Sequence, residues 1–128
     1  MARVLLYNFT DPARRTAVRL CLFRLGIPCT EIAPEEQGHP LGRLLGLAGF
    51  APGEAAEPFA EEMLVMHELS REQFGALLDA LRRSRVPVAL KAVVTETNLA
   101  WSSERLHREL AAEHAAMSAK ARSVHRHK

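Results

Sequence analysis

The chain has 128 residues, of which 48% are hydrophobic and 25% are charged, and its formal net charge is +2. This composition excludes a disordered chain and a membrane protein, and the length fits one domain. The positive charge comes from residues 120–128, which hold four Lys/Arg and no Asp/Glu, so that the rest of the chain carries −2. We therefore expect a single α/β domain over residues 1–118 and a basic, disordered tail over residues 119–128.

The two cysteines, Cys21 and Cys29, are too few to indicate a disulfide framework, and we expect buried thiols. The first apolar run, residues 4–7, is shorter than the core of a signal peptide, which has roughly 7–15 residues. No run approaches the roughly 18 apolar residues of a membrane helix. We therefore predict a cytoplasmic protein that does not associate with membranes.

Residues 4–9 are apolar and β-prone, which predicts a buried strand. Asp11 followed by Pro12 then predicts the start of a helix that ends before Gly26. This helix is apolar on more than one side, because Leu20 and Phe23 lie opposite its inward stripe. We expect another segment of the chain or a second subunit to cover these two side chains.

Residues 28–33 predict a second, weaker strand at an edge of the sheet. The following stretch, residues 34–58, is rich in Gly, Pro, Ala and Glu, and a short helix is expected at residues 41–47 within it. A connection of this length inside a compact domain is often functional or mobile.

The apolar residues 63–66 predict a central strand. Ser70 and Gln73 have the spacing of a capping box and predict the start of a second long helix. A fourth strand is expected over residues 88–95, and a third long helix starts near Ser102.

This order of elements is typical of an α+β protein. Our first interpretation is a ferredoxin-like βαββαβ sandwich, with a four-stranded antiparallel sheet, two helices on one face and an additional C-terminal helix. The alternative treats residues 41–47 as a crossover helix and gives a small parallel, flavodoxin-like sheet. In the first arrangement the ends of the third and fourth strands share one end of the sheet, away from residues 34–58.

A cluster of polar side chains follows the fourth strand. Hydroxyl, carboxylate and amide groups beside an aromatic ring suit a small polar ligand. The alternative is an ordinary turn and helix cap, in which Thr97 or Asn98 starts the turn, Ser102 caps the third long helix and Trp101 packs against that helix. The residues of the cluster are Thr95, Glu96, Thr97, Asn98 and Trp101.

Two further residues complete the candidate ligand-binding set. Lys91 interrupts an apolar strand, so it either extends from an edge of the sheet or meets a buried anion. His67 reaches the cluster if the third and fourth strands end together. No nucleophile or pair of carboxylates identifies catalysis, and the six histidines lack the spacing of a zinc signature. We predict no metal and no cofactor.

Several segments together resemble a family of small bacterial proteins known as a domain of unknown function. The resemblance extends from residue 4 to about residue 117, and its most specific part is the motif KAVVTETNxxW, from Lys91 to Trp101. It implies a small bacterial cytoplasmic α/β protein and implies no activity. The segments are residues 5–9, 41–42, 63–66, 91–98, 101 and 109–110.

Three functions are consistent with these features. The first is a non-catalytic ligand- or partner-binding module, which would form a homodimer through Leu20 and Phe23 or through an exposed face of the sheet. The second is a small enzyme at the end of the fourth strand, with Glu96 or His67 in proton transfer and Lys91 or Asn98 binding an anion. The third, and less favoured, is a nucleic-acid accessory protein that uses the basic tail. The tail's positive residues are Lys120, Arg122, Arg126 and Lys128.

Overall fold

The computed structural model describes the backbone of residues 1–126 and the side chains of residues 1–120. Short 3-10 turns follow the second and fourth strands, at Pro34–Glu36 and Asn98–Ala100. The strands and helices, in chain order, are β1 (Arg3–Tyr7), α1 (Pro12–Arg24), β2 (Cys29–Ile32), α2 (Leu41–Leu44), β3 (Met63–His67), α3 (Arg71–Arg83), β4 (Leu90–Val93) and α4 (Ser103–Arg126).

The four strands form one sheet in the order β2-β1-β3-β4, which confirms an α+β protein. β1 and β2 are parallel neighbours, β3 and β4 are parallel neighbours, and β1 runs antiparallel to β3. The ferredoxin-like order is therefore wrong, because a split β-α-β unit has another strand between its two parallel strands. The fully parallel, flavodoxin-like alternative is wrong as well, since β1 and β3 are antiparallel.

The short connection after α1 explains the difference. Gly26 adopts a positive φ of 68°, and the Val4 amide donates to the Pro28 carbonyl across 3.0 Å. The chain thus returns directly beside β1 and forms a compact β-α-β unit. No local sequence signal records that β2 takes this neighbouring place.

The sheet is buried on both faces. Side chains alternate along each strand, so Val4 and Leu6 face α1 and α3, whereas Leu5 and Tyr7 face the side of α4. Burial on both faces explains why the sequences of β1 and β3 are continuously apolar rather than alternating.

The fourth strand and the last helix differ in length from our predictions. β4 ends at Val93, earlier than expected, and α4 continues to Arg126, beyond residue 118. Residues 127 and 128 of the predicted tail lie outside the described residues, and the division of the chain at residue 118 stays a prediction. No helix in the described part of the chain has both the length and the apolar character needed to cross a bilayer.

The long connection between β2 and β3 is held by a buried glutamine. Gln37 is 0% exposed. Its side-chain amide donates to Asn8 Oδ1 across 3.3 Å, and its Oε1 accepts from the Phe59 amide across 3.0 Å. Its carbonyl accepts from the Glu104 amide, at the start of α4. Gln37 therefore links this connection to the end of β1 and to α4.

Neighbouring contacts extend this link into the core. The Tyr7 hydroxyl lies 2.7 Å from Ser103 Oγ, and burial raises the pKa of Tyr7, so the hydroxyl is neutral. The Phe59 ring stacks on His107 with 4.1 Å between the ring centroids. We call this group of residues the anchor network: Tyr7, Asn8, Gln37, Phe59, Ser103 and His107.

Removal of the Gln37 amide tests the importance of the anchor network. We expect Gln37→Ala to lower the free energy of unfolding by about 2–4 kcal/mol, because it leaves a cavity and two unpaired polar groups. The control is Glu35→Ala on the exposed 3-10 turn, with an expected change below about 0.5 kcal/mol. Urea denaturation measures both, and equal effects of the two substitutions would contradict the assignment.

Candidate functional site

The parallel pairing of β3 and β4 brings their carboxyl ends to the same edge of the sheet. Val93 lies opposite Met66, and a cleft of about 550 Å³ opens beyond them, beside the N-terminus of α3. We call it the strand-end cleft. It is lined by Met66, His67, Glu68, Leu69, Ser70, Arg71, Phe74, Val93, Val94, Thr95, Glu96 and Leu99.

One buried side chain shapes the loop after β4. Asn98 is 8% exposed, and its Oδ1 accepts from the Thr95 amide across 2.8 Å while its Nδ2 donates to the Val93 carbonyl across 3.1 Å. The Asn98 amide in turn donates to Thr95 Oγ1 across 3.2 Å. The polar groups of Asn98 are thus used to form the turn.

Three of the seven candidate ligand-binding residues line the strand-end cleft. Thr95 and Glu96 are exposed, and His67 is 9% exposed. His67 Nε2 lies 3.7 Å from a carboxylate oxygen of Glu68. That carboxylate also accepts from the amino group of Met1, which holds the pKa of Glu68 below its usual range.

The other candidates lie elsewhere. Lys91 is exposed on the edge strand β4, where its ammonium donates to the Val88 carbonyl. Trp101 packs against the core on the side of α4, and the Arg105 guanidinium lies 4.2 Å from the centroid of its ring. Thr97 is exposed and makes no capping hydrogen bond. Together with the cap that Ser102 Oγ provides to the Arg105 amide, these contacts are those expected of the turn-and-cap alternative.

The strand-end cleft offers an imidazole, a hydroxyl and a carboxylate at its rim, which suit hydrogen bonds to a polar ligand. Binding by these residues stays a prediction. Among the described residues, no three His, Cys, Asp or Glu side chains are close enough to form a metal site.

A second concave surface lies at the opposite edge of the sheet, between α1 and β2. Its volume is about 700 Å³. Phe23 is 81% exposed and Leu20 is 43% exposed, and no described segment of the chain covers them. We call this surface the α1–β2 groove. Its lining residues are Arg15, Thr16, Arg19, Leu20, Phe23, Ile27, Pro28 and Cys29.

Ion pairs join α1 to β2 beside the α1–β2 groove. The Glu31 carboxylate on β2 accepts from Arg15 at 2.5 and 2.8 Å and from Arg19 at 2.7 Å, and both arginines belong to α1. The hydrogen bonds from Arg15 are the main reason that the pKa of Glu31 is lowered, and Arg19 adds to the effect.

Sequence analysis did not identify Gln37 or Phe59 as important residues. The contacts of both join positions distant along the chain, and neither belongs to a short motif. The α1–β2 groove is different, because a local pattern indicates it: Leu20 and Phe23 lie on the outward side of a helix whose inward side is already apolar.

A family model described as a domain of unknown function, DUF3783, matches residues 62–117. The predicted resemblance is confirmed in this coarse form, for β3, α3, β4 and the first part of α4. The KAVVTETNxxW motif and a bacterial source stay predictions. No curated protein matches the chain.

Among solved structures, the chain is similar to the FG41 malonate semialdehyde decarboxylase inhibited by 3-bromopropiolate. The two share 13% identity, and the match covers 75% of this chain and 82% of that chain, with a TM-score of 0.32. A structural similarity with so low a TM-score supports no conclusion about the activity of this protein.

Truncation of Asn98 tests its role in the turn. We expect Asn98→Ala to lower the free energy of unfolding by about 2–3 kcal/mol, because the Thr95 amide and the Val93 carbonyl lose their partner. The neighbouring exposed substitution Thr97→Ala is expected to change it by less than about 0.5 kcal/mol. Chemical denaturation of both variants decides the question, and a neutral Asn98→Ala would show that the turn does not depend on this amide.

The ion pairs of Glu31 predict a pH-dependent stability. Because the folded-state pKa of Glu31 is lowered, its contribution is present above the unfolded-state pKa of about 4.3 and is lost as the pH falls through the folded-state value. We expect Glu31→Gln to cost less than about 1 kcal/mol at neutral pH, since the pair is partly exposed. Thermal denaturation should show this difference at pH 7 and lose it near pH 2. A difference independent of pH would be inconsistent with the ion pair.

Proposed function

We propose that this protein is a non-catalytic binding module that pairs with a second copy of itself through the α1–β2 groove. The observation that carries the proposal is Phe23, whose side chain is 81% exposed beside an open groove. Burial of a phenylalanine side chain stabilises a complex by roughly 1.5–3 kcal/mol. Within the domain Phe23 gains little of this energy, because its side chain stays mostly exposed while Val18, Cys21 and Leu22 form the buried face of α1.

The shape of the surface supports a second copy as the partner. Phe23 projects from the same patch that contains the groove formed with Ile27 and Pro28. In a twofold dimer the same patch of each subunit meets its equivalent, so each Phe23 can enter the groove of the other copy. A surface that holds both the projection and the groove is complementary to itself.

The charges support the same partner. Arg15 and Arg19 line the groove and pair with Glu31, which lies beside it on β2, so the patch carries both signs. A twofold axis can therefore place the carboxylate of one copy beside the guanidinium groups of the other.

Because β2 has four residues and stands between two prolines, Pro28 and Pro34, we expect side chains rather than extended strand pairing to form the contact.

The arrangement at the other end of the sheet favours binding over catalysis. An enzyme at the end of β4 would need Lys91, Glu96 and Asn98 to converge on a substrate. Lys91 instead bonds to the backbone away from the strand-end cleft, and Asn98 is used in the turn. Glu96 is exposed at the rim, and among the described residues no hydrogen bond or ion pair positions its carboxylate.

The nucleic-acid hypothesis depends on the last residues of the chain. Lys120 is exposed, and the side chains of Arg122, Arg126 and Lys128 lie outside the described residues. It stays a secondary proposal, without an observation in its favour.

The oligomeric state tests the proposal. We expect sedimentation equilibrium to show a monomer–dimer equilibrium with a dissociation constant near the micromolar range, as suits a small apolar contact. Phe23→Ser should raise this constant by about tenfold or more, because a central aromatic anchor is lost. A strictly monomeric protein at a concentration of several hundred micromolar would contradict the proposal.

A matched control separates this interface from other exposed apolar residues. Met117 on α4 is 71% exposed and does not line the α1–β2 groove. We expect Met117→Ser to leave the dissociation constant unchanged. If Met117→Ser disrupts the dimer and Phe23→Ser does not, the interface belongs to α4 and the proposal is wrong.

A further inference from the structure

A third concave surface lies along the free edge of β4, opposite the edge that carries the α1–β2 groove. It is formed by the end of α3, the connection from α3 to β4, and one residue of α4, and its volume is about 800 Å³. Small-molecule sites commonly have about 300–1,000 Å³, so the volume suits a compact ligand. We call this surface the β4-edge groove.

The floor of the β4-edge groove is apolar. Leu81 of α3 and Val88 of the connection before β4 are 4% and 3% exposed, so they belong to the core and are held in place by it. Leu78, which is half-buried, and the exposed Pro87 and Ala89 line the groove beside them. These side chains provide an apolar surface that is suited to an alkyl chain.

The rim of the β4-edge groove carries positive charge. Arg82, Arg85 and Lys91 line it, together with His114, and none of the lining residues is acidic. Arg82 is paired with Asp79 one turn earlier on α3. Within the part of the chain that the structure describes, no carboxylate pairs with Arg85 or Lys91. Arg85 therefore remains available to an anion in the groove, and the Lys91 ammonium, which donates one N–H to the Val88 carbonyl, has two further donors.

Arg85 also occupies an unusual backbone conformation. Its φ is 56°, in the left-handed region, where a helix usually ends on glycine or asparagine. A larger side chain costs roughly 1–2 kcal/mol there. Interaction with the helix dipole does not explain the arginine at this position, because Arg82 and Arg83 already provide positive charge in the last turn of α3.

We propose that the β4-edge groove binds an amphipathic anion, an alkyl chain that ends in a carboxylate. The alkyl chain lies on Leu78, Leu81 and Val88, and the carboxylate pairs with Arg85 and Lys91. This inference does not depend on the proposed dimer, because the two surfaces lie on opposite edges of the sheet.

Calorimetric titration with decanoate tests the proposal. We expect saturable binding by the whole chain. Arg85→Gln and Lys91→Gln should each weaken it by roughly fivefold or more, since each removes one charge from a partly screened pair. Arg83→Gln is the matched control, because Arg83 lies at the same end of α3 but lines a different depression, between α1 and α3.

A second pair of ligands separates charge from apolar attraction. Decyltrimethylammonium has an alkyl chain of similar length with the opposite charge, and acetate has the carboxylate without the long chain. We expect neither to bind with comparable affinity. The proposal is overturned if decyltrimethylammonium binds as well as decanoate, if Arg83→Gln weakens binding as much as Arg85→Gln, or if decanoate gives no saturable signal. Circular dichroism of each variant verifies that it is folded.

Discussion

The buried amide of Gln37 is the contact on which the α4 side of this domain depends. The sheet is apolar on both faces, and α1 with α3 covers one of them. The other face needs both α4 and the long connection between β2 and β3, because Leu41 of that connection is fully buried in the core there. Gln37 joins the connection to β1 and to α4 at once, so this face closes only when its hydrogen bonds form.

The pairing of the strands determines where the exposed surfaces lie. Each β-α-β unit places its second strand on the outside, so β2 and β4 become the two free edges. α1 and α3 pack against each other over the middle of the sheet, and the outer strands are incompletely covered. On β4 this is visible in Lys91 and Val93, which point to the side of α3 and are exposed, while Leu90 and Ala92 on the other side are buried.

Local sequence patterns predicted the elements well and their arrangement poorly. The caps at Asp11 and Ser70 form as predicted, since each depends on residues within one turn of the helix. The neighbours of each strand depend on how the connections return to the sheet, which no local pattern records.

The candidate site shows the same difference between what a local pattern predicts and what the arrangement of the strands decides. Thr95, Glu96 and His67 line one cleft because β3 and β4 end together. Lys91 lies on the same side of β4 as Val93 but two residues earlier along the strand, and it lines the β4-edge groove instead.

The difference in charge between the two edge grooves explains why we assign them different partners. The two arginines that line the α1–β2 groove already pair with Glu31 of β2, so an additional anion would have to displace this carboxylate. A second copy can bury Phe23 against the groove while these ion pairs remain in place. In the β4-edge groove, by contrast, no carboxylate among the described residues pairs with Arg85 or Lys91, so a second copy of the same groove would bring like charges together. On these grounds we propose self-association at one edge of the sheet and an anionic ligand at the other.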